Sequence, residues 1–266
     1  MNITDGSFGK ALYLFAITTT ILVLMPQIVV IATAFNPEHM VFPPEGFSLR
    51  WFKELPKDSF FMRSLGVSAV IGFISSILST IIGTSAAVGL RYSSKKVSRL
   101  VSGVMLAPLF IPTVVTGLAL YQMSYLLLGG KSPLVLLLGH VILTIPFPLR
   151  NVVASLEGLP LSLDEAAMNV GAPPWYAVRK ILLPLIKPGV FSGWLMAFIM
   201  SWNDFNVSLF LSTPGYNPLA IQIYTYIAYE YKPILAAMSV YLILIACLAV
   251  IILNKLVGLS GLTGSR

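Results

Sequence analysis

The sequence predicts an all-α membrane protein with six transmembrane helices, on three observations. Of its 266 residues, 57% are hydrophobic and 10% charged, whereas soluble domains carry roughly 25% charged residues. Six apolar stretches reach the length of about 20 residues that an α-helix needs to cross the hydrocarbon core. Lys and Arg, the source of a formal net charge of +7, gather in segments between those stretches, as in membrane proteins, and do not point to a nucleic-acid partner. The single cysteine, Cys247, lies in an apolar run, which excludes disulfides within the chain and cysteine-based metal sites.

The first span covers about Ala11 to Ala34, with Pro26 as a kink site. No clear small-residue cleavage site follows it, so it is expected to remain as a membrane helix. With the polar loop behind it, rich in Pro43, Pro44, Gly46, Trp51 and Phe52, it makes a first section, residues 1–62. Residues 63–257 are the main transmembrane section. Its first helix runs from about Ser64 to Leu90, where Gly72, Ser76, Ser79 and Gly83 recur at helical spacing as a small-residue stripe for close packing in lipid. The next, about Leu100 to Tyr121, holds Pro108, Pro112 and Gly117 and is expected to bend. The remaining spans cover about Pro133–Leu149, Gly189–Leu211 and Pro233–Val257, leaving residues 258–266 as a short cytoplasmic tail.

Loop charge sets the expected orientation. Arg91, Lys95, Lys96 and Arg99 stand together without an acid, and Arg150, Arg179, Lys180 and Lys187 follow the fourth span. Both loops, and both termini, are therefore expected in the cytoplasm. The first outer loop also carries Arg50, Lys53, Lys57 and Arg63, so the asymmetry is not clean there. After the fifth span, Ser212-Thr213-Pro214-Gly215 reads as an outer turn. Tyr216, Tyr224, Tyr226, Tyr229 and Tyr231 then crowd together, either as an aromatic belt or as a contact surface for an external protein or a gate rim.

Ionisable residues inside membrane helices are costly and therefore informative. Asp204, in Ser201-Trp202-Asn203-Asp204-Phe205, is the only acid within an expected span. It reads either as a pathway residue for a cationic or hydrogen-bonding solute, with Trp202 and Asn203 beside it, or as a structural carboxylate. Thr113 and Thr116 either line a cavity or bond to their own backbone. His140 reads as a packed, hydrogen-bonded histidine, since no second titratable group lies beside it in sequence. Gly129-Gly130-Lys131-Ser132 imitates the end of a P-loop, but Tyr125 occupies the position of the first required glycine, and the segment joins two membrane helices. One aspartate and one histidine within the spans do not furnish an intramembrane hydrolase, and neither HExxH nor GxSxG is present. The chain is thus expected to be no enzyme and to hold no metal or cofactor.

One polar stretch interrupts this apolar chain, Leu161 to Pro184, LSLDEAAMNVGAPPWYAVRKILLP. Ser162 and Glu165 have capping-box spacing, and Asp164 and Glu165 put negative charge in a first helical turn. Ala166 and Ala167 favour helix and leave a face open to close approach. Gly171 suits a left-handed helix end, Pro173 and Pro174 the first turn of a second helix, and Pro184 its break. The residues predict a short helix, a bend and a second short helix.

The same residues resemble the EAA motif of permease subunits from binding-protein-dependent ABC importers, EAA-x3-G-x9-I-x-LP, at Glu165, Ala166, Ala167, Gly171, Ile181, Leu183 and Pro184. The likeness extends from about Arg63 to Val257, through Gly139-His140-Val141, Ile145-Pro146-Phe147, Ala107-Pro108, Ile111-Pro112 and Ser201-Trp202-Asn203-Asp204-Phe205. The nearest subgroup is the PotC-like permeases of polyamine and related amino-compound importers. Polyamine members often carry an acid after the proline of the third helix, where this chain has Thr113, which argues against a dicationic solute. The resemblance implies the type I importer permease fold in a bacterial inner membrane, with Ser162, Asp164, Glu165, Ala166, Ala167, Gly171 and Pro184 in a cytoplasmic coupling-helix loop. It implies two ATPase subunits that bind ATP and magnesium, a second permease, similar or identical, and an external solute-binding protein. Wider members carry sugars, phosphonates, opines, thiamine or iron. An ion-gradient-driven secondary transporter is the other reading; it accounts for Asp204 but not for the helix pair in the loop.

Overall fold

The computed structural model describes residues 7–160, 162–169 and 171–257, and among them every regular element is helical. The chain divides into two compact units, one from residues up to Ser59 with those from Ile223 onward, the other Phe60–Gln222.

In the first unit, α1 (Ser7–Thr33) carries Pro26 inside an otherwise unbroken helix and packs on α14 (Ile234–Val257). The polar loop after α1 is folded around Asn36, which is fully buried. Its side-chain amide donates to the Val41 carbonyl at 2.7 Å and accepts from Glu45 N–H at 2.8 Å, and its own carbonyl accepts from the Trp51 indole at 2.9 Å. Trp51 lies in the one-turn helix α2 (Arg50–Glu54). Arg50 is held by Glu54 at 2.8 Å; that hydrogen bond, then the charge behind it, raises the already high pKa of the guanidinium.

The second unit is the bundle. It contains nearly all of α3 (Ser59–Arg91), then α4 (Lys95–Leu106), α5 (Thr113–Leu128), α6 (Pro133–Thr144) and α7 (Pro146–Glu157). The loop helices follow as α8 (Ser162–Asn169), α9 (Pro174–Ala177) and α10 (Leu183–Leu185), with a π-helical turn over Val178–Leu182 joining the last two. Behind them come α11 (Lys187–Trp202) and α12 (Asn206–Leu211), and α13 (Leu219–Tyr229) begins within this unit. The expected outer turn is present: Tyr216 N–H bonds the Thr213 carbonyl at 2.9 Å, with Gly215 at φ +82°.

Three helices among the described residues are long and apolar enough to cross a membrane, Gly9–Thr33, Ser59–Arg91 and Pro133–Glu157, or up to five if each of two bent pairs is one span. This stands beside an expected six, and the physical reasons are breaks. The third expected helix is two, α4 and α5, meeting at 102°. Pro108 sits in a 3-10 turn and Pro112 caps α5, so each proline removes a backbone donor where a single helix would need one. The fifth expected helix ends at Trp202 and restarts at Asn206. A 70° bend also separates the Pro174–Leu185 segment from α11.

Among the described residues, two apolar clusters hold the bundle together. Ile71, Val135, Leu136, Leu143, Val207 and Leu211 form one, and Ala87, Leu149, Val152, Leu156, Leu182 and Ile186 the other. The stripe on α3 faces inward, with Gly72, Ser76, Ser79 and Gly83 all buried.

Candidate functional site

The loop folds as the expected helix, bend and helix. Gly171 adopts φ +85°, a conformation in which a Cβ would crowd the backbone, and its N–H returns to the Met168 carbonyl at 2.9 Å. Ser162 is the first residue of α8. The backbone of Asp164, Glu165 and Ala167 runs through this helix, but their side chains, like Leu161 and Val170, lie outside the described residues, and the capping box with them. Ala166 is exposed, as are Leu163, Met168, Trp175 and Tyr176. Pro184 is exposed inside α10, and the sharp bend falls two residues later, at Ile186 (φ −90°, ψ 3°).

The inner side of the loop is anchored. Leu182 and Ile186 are fully buried among Ala87, Leu149, Val152 and Leu156. A cavity of about 270 Å³, lined by Tyr92, Met168, Pro174 and Ala177, lies between the end of α3 and the two loop helices. Arg91, the last residue of α3, donates through Nη1 to the carbonyls of Leu156 (3.0 Å) and Leu159 (3.1 Å), and through Nη2 to that of Pro160 (3.1 Å). In the sequence Arg91 reads as loop charge; its place at a helix end, next to the final residue of an apolar run, is the available signal.

The break between α11 and α12 is the second candidate region. Asp204 is 7% exposed. Its Oδ2 accepts from Ser208 N–H at 2.9 Å and Oδ1 from Val207 N–H at 3.4 Å, so the carboxylate serves the orphan donors of the first turn of α12. That capping is why the helix restarts here. The Ser208 hydroxyl also donates to Oδ2 at 3.2 Å. His140, 1% exposed, lies with Nε2 3.9 Å from the same oxygen; the fold supplies the titratable neighbour that its sequence surroundings lack. Nδ1 meets Ser201 Oγ at 2.7 Å and Nε2 meets Ser208 Oγ at 3.1 Å, while Ser75 Oγ donates to Ser201 Oγ at 2.9 Å. A neutral imidazole with its proton on Nε2 satisfies these bonds, donating to Ser208 and accepting from Ser201. The chain Ser75–Ser201–His140–Ser208–Asp204 then runs donor to acceptor through α3, α11, α6 and α12 and ends on the carboxylate.

The other expected pathway residues lie around this chain. Asn203 is exposed, its amide turned back to the Ile199 carbonyl at 2.9 Å, and Trp202 is half-buried beside Phe198. Thr113, at the start of α5, accepts from the Asn206 amide at 2.7 Å, tying the two breaks together, and Thr116 is half-buried one turn on. Among the described residues no three His, Cys, Asp or Glu side chains gather as a metal site. Ser132, the last residue of the false P-loop, caps α6 through Val135 N–H at 3.3 Å.

Sequence reading also missed the seam that holds α11 to α7. Gly189, Gly193, Ala197 and Ser201 recur every fourth residue on α11, and all are buried. A Cβ on Gly193 would lie 2.6 Å from Pro148 Cα, and one on Gly189 2.8 Å from the Asn151 carbonyl. The signal was present as Gly189-x3-Gly193, the spacing that lets membrane helices approach closely.

Comparison with known proteins agrees with this geometry. Residues 79–259, about two thirds of the chain, match the family model of the binding-protein-dependent transport system inner membrane component. The chain is 28% identical over 249 residues, 92% of its length and 90% of the relative's, to the spermidine/putrescine transport system permease protein PotC of Escherichia coli K12. It is 31% identical over 221 residues, 80% of its length and 79% of the relative's, to the putrescine transport system permease protein PotI of the same strain. Its fold is similar to a chain in the crystal structure of a bacterial ABC transporter involved in the import of the acidic polysaccharide alginate, with TM-score 0.77, 16% identity and 96% of both chains covered. With apolar helices of spanning length, a helix–bend–helix loop keyed into the bundle and this family match, the chain belongs to the binding-protein-dependent transport system inner membrane components, as a multi-pass, PotC-like permease subunit of an ABC importer.

Proposed function

We propose that the chain forms half of the translocation pathway of an ATP-driven importer for a small amino compound, a polyamine or an amino acid. A second permease, similar or identical, supplies the other half, and an external solute-binding protein delivers the solute. Two cytoplasmic ATPase subunits, carrying the ATP and magnesium, dock on the Leu161–Pro184 loop. Their closure moves the loop and turns the pathway outward, and hydrolysis resets it.

The observation that carries this reading is the two-sided build of the loop. Its outer face offers Leu163, Ala166, Trp175 and Tyr176 to a partner, while Leu182 and Ile186 are fixed in the bundle core. A segment built that way transmits force. The basic residues around it, Lys95, Lys96, Arg99, Arg179 and Lys180, support its placement on the cytoplasmic side, with both termini there too. Ser162, Asp164, Glu165, Ala166, Ala167, Gly171 and Pro184 are the residues assigned to coupling. Thr113, Thr116, Trp202 and Asn203 are assigned to the pathway, with Asp204 acting from behind them by fixing the helix break.

The polyamine class is supported by PotC and PotI as relatives. Thr113, a neutral residue bonded to Asn206, favours a monoamine or zwitterion over a diamine. The test is ATPase stimulation in the purified assembly of this permease, its ATPase subunits and its solute-binding protein. Putrescine, spermidine and a panel of amino acids are titrated separately; the reading expects one of them to raise hydrolysis. Stimulation only by a sugar, phosphonate, opine, thiamine or ferric iron would overturn the solute class and leave the importer intact.

A further inference from the structure

We infer that Arg91 is a positioning residue that makes the loop and α3 move as one body, an inference resting on the reading of the loop as the ATPase contact. Three carbonyls converge on one guanidinium: Leu156 from the last turn of α7, and Leu159 and Pro160 from the linker that enters α8. A cation is favoured at a helix C-terminus, where unpaired carbonyls collect. Arg carries five N–H donors in a rigid planar fork and holds several acceptors at fixed angles, whereas Lys carries a point charge on a flexible stem. The bonded linker ends at Pro160, two residues before α8 starts at Ser162. Arg91 therefore fixes where the first loop helix leaves the bundle.

The other end of the connection is the buried polar chain. Ser75 lies 16 residues before Arg91 on the same unbroken helix, about 24 Å at 1.5 Å per residue. It donates to Ser201 at the end of α11, three residues before the capping carboxylate of Asp204. Small-residue packing along α3 keeps this helix close to its neighbours: Gly72 faces Phe198 of α11 and Gly83 faces Pro148 of α7. Displacing the loop thus displaces α3, and α3 acts on the hydrogen bonds that hold the break between α11 and α12. Leu182 and Ile186 anchor the exit side of the loop to the same cluster, but through apolar packing that tolerates sliding; Arg91 supplies the directional link at the entry side.

The experiment uses the complete transporter with Cys247→Ser, spin labels at Gly89→Cys on α3 and Asn169→Cys on α8, and distances measured by pulsed electron resonance in nucleotide-free and vanadate-trapped states. Both label sites are exposed, and a side chain at Gly89 meets nothing within 4 Å. With Arg91 present the distance is expected to be the same in both states. Arg91→Ala is expected to widen the distribution by about twofold while the ATPase subunits still co-purify, and Arg91→Lys, which keeps the charge and loses the fork, to fall between. A distance that changes with nucleotide when Arg91 is present, or variants indistinguishable from it, would overturn the inference. Failure of the ATPase subunits to co-purify even with Arg91 present would overturn the coupling reading itself, and Arg91's role with it.

Discussion

Asp204 decides what the middle of the bundle can do. Two backbone donors, one serine hydroxyl and a histidine surround its carboxylate, so it helps to hold the chain in place. Asp204→Ala should leave two first-turn donors of α12 without their acceptor, at about 1–3 kcal/mol for burial of unpaired groups. Asp204→Asn keeps one acceptor oxygen and should cost less. Thermal unfolding of the purified permease checks this: stability is expected to fall in the order native, Asn, Ala, with solute preference of the assembled Asn variant unchanged. An Asn variant of native stability that changes which solute is imported would make Asp204 a direct solute contact. Gly193 is the second decisive residue, since its missing Cβ is what admits Pro148. Gly193→Leu should separate α11 from α7 and lose 1–3 kcal/mol or more by overpacking, by the usual order of magnitude for such changes. The same substitution at the exposed Gly103, where nothing lies within 4 Å, should not, and detergent-extracted yield of folded protein compares the two.

At the scale of elements, the loop and the breaks behave differently under sequence reading. The helix–bend–helix was legible because its signals are local: Gly171 for the positive φ, Pro173 and Pro174 for the restart, alanines for the first helix. The breaks were legible only in part. Pro108 and Pro112 announced a bend but not its 102°, which is set by how α5 packs on α12. The end of α11 at Trp202 carried no proline or glycine; it depends on Asp204 meeting the N–H groups of a helix it helps to start, and on His140, 64 residues earlier in sequence, arriving beside it. Contacts over such separations leave no periodic mark. Arg91 is the same case, a charge with carbonyl acceptors 65 to 69 residues on. The element-scale prediction concerns Gly171. Gly171→Val forces a β-branched side chain into φ +85° and should uncouple hydrolysis from uptake, while Gly171→Asn, which tolerates that region, should retain more coupling. Moles of ATP hydrolysed per mole of solute imported separate the two, and equal native ratios in both would remove the bend from the mechanism.

At the scale of the whole molecule, the permease is a converter with no covalent chemistry assigned to it. It has a helix–bend–helix loop that is proposed to meet the ATPase, a bundle held by apolar clusters, and a polar chain where two helices break. This converter is proposed to be driven by ATP bound elsewhere and not by an ion gradient across its own membrane. Proteoliposomes test it most directly, loaded either with the permease pair alone or with the pair and its ATPase subunits, and supplied with the solute-binding protein and radiolabelled putrescine, spermidine and amino acids in turn. Uptake of one of these solutes is expected only when both the ATPase subunits and ATP with magnesium are present. Uptake by the permease alone under a proton or sodium gradient, undiminished without ATP, would contradict it.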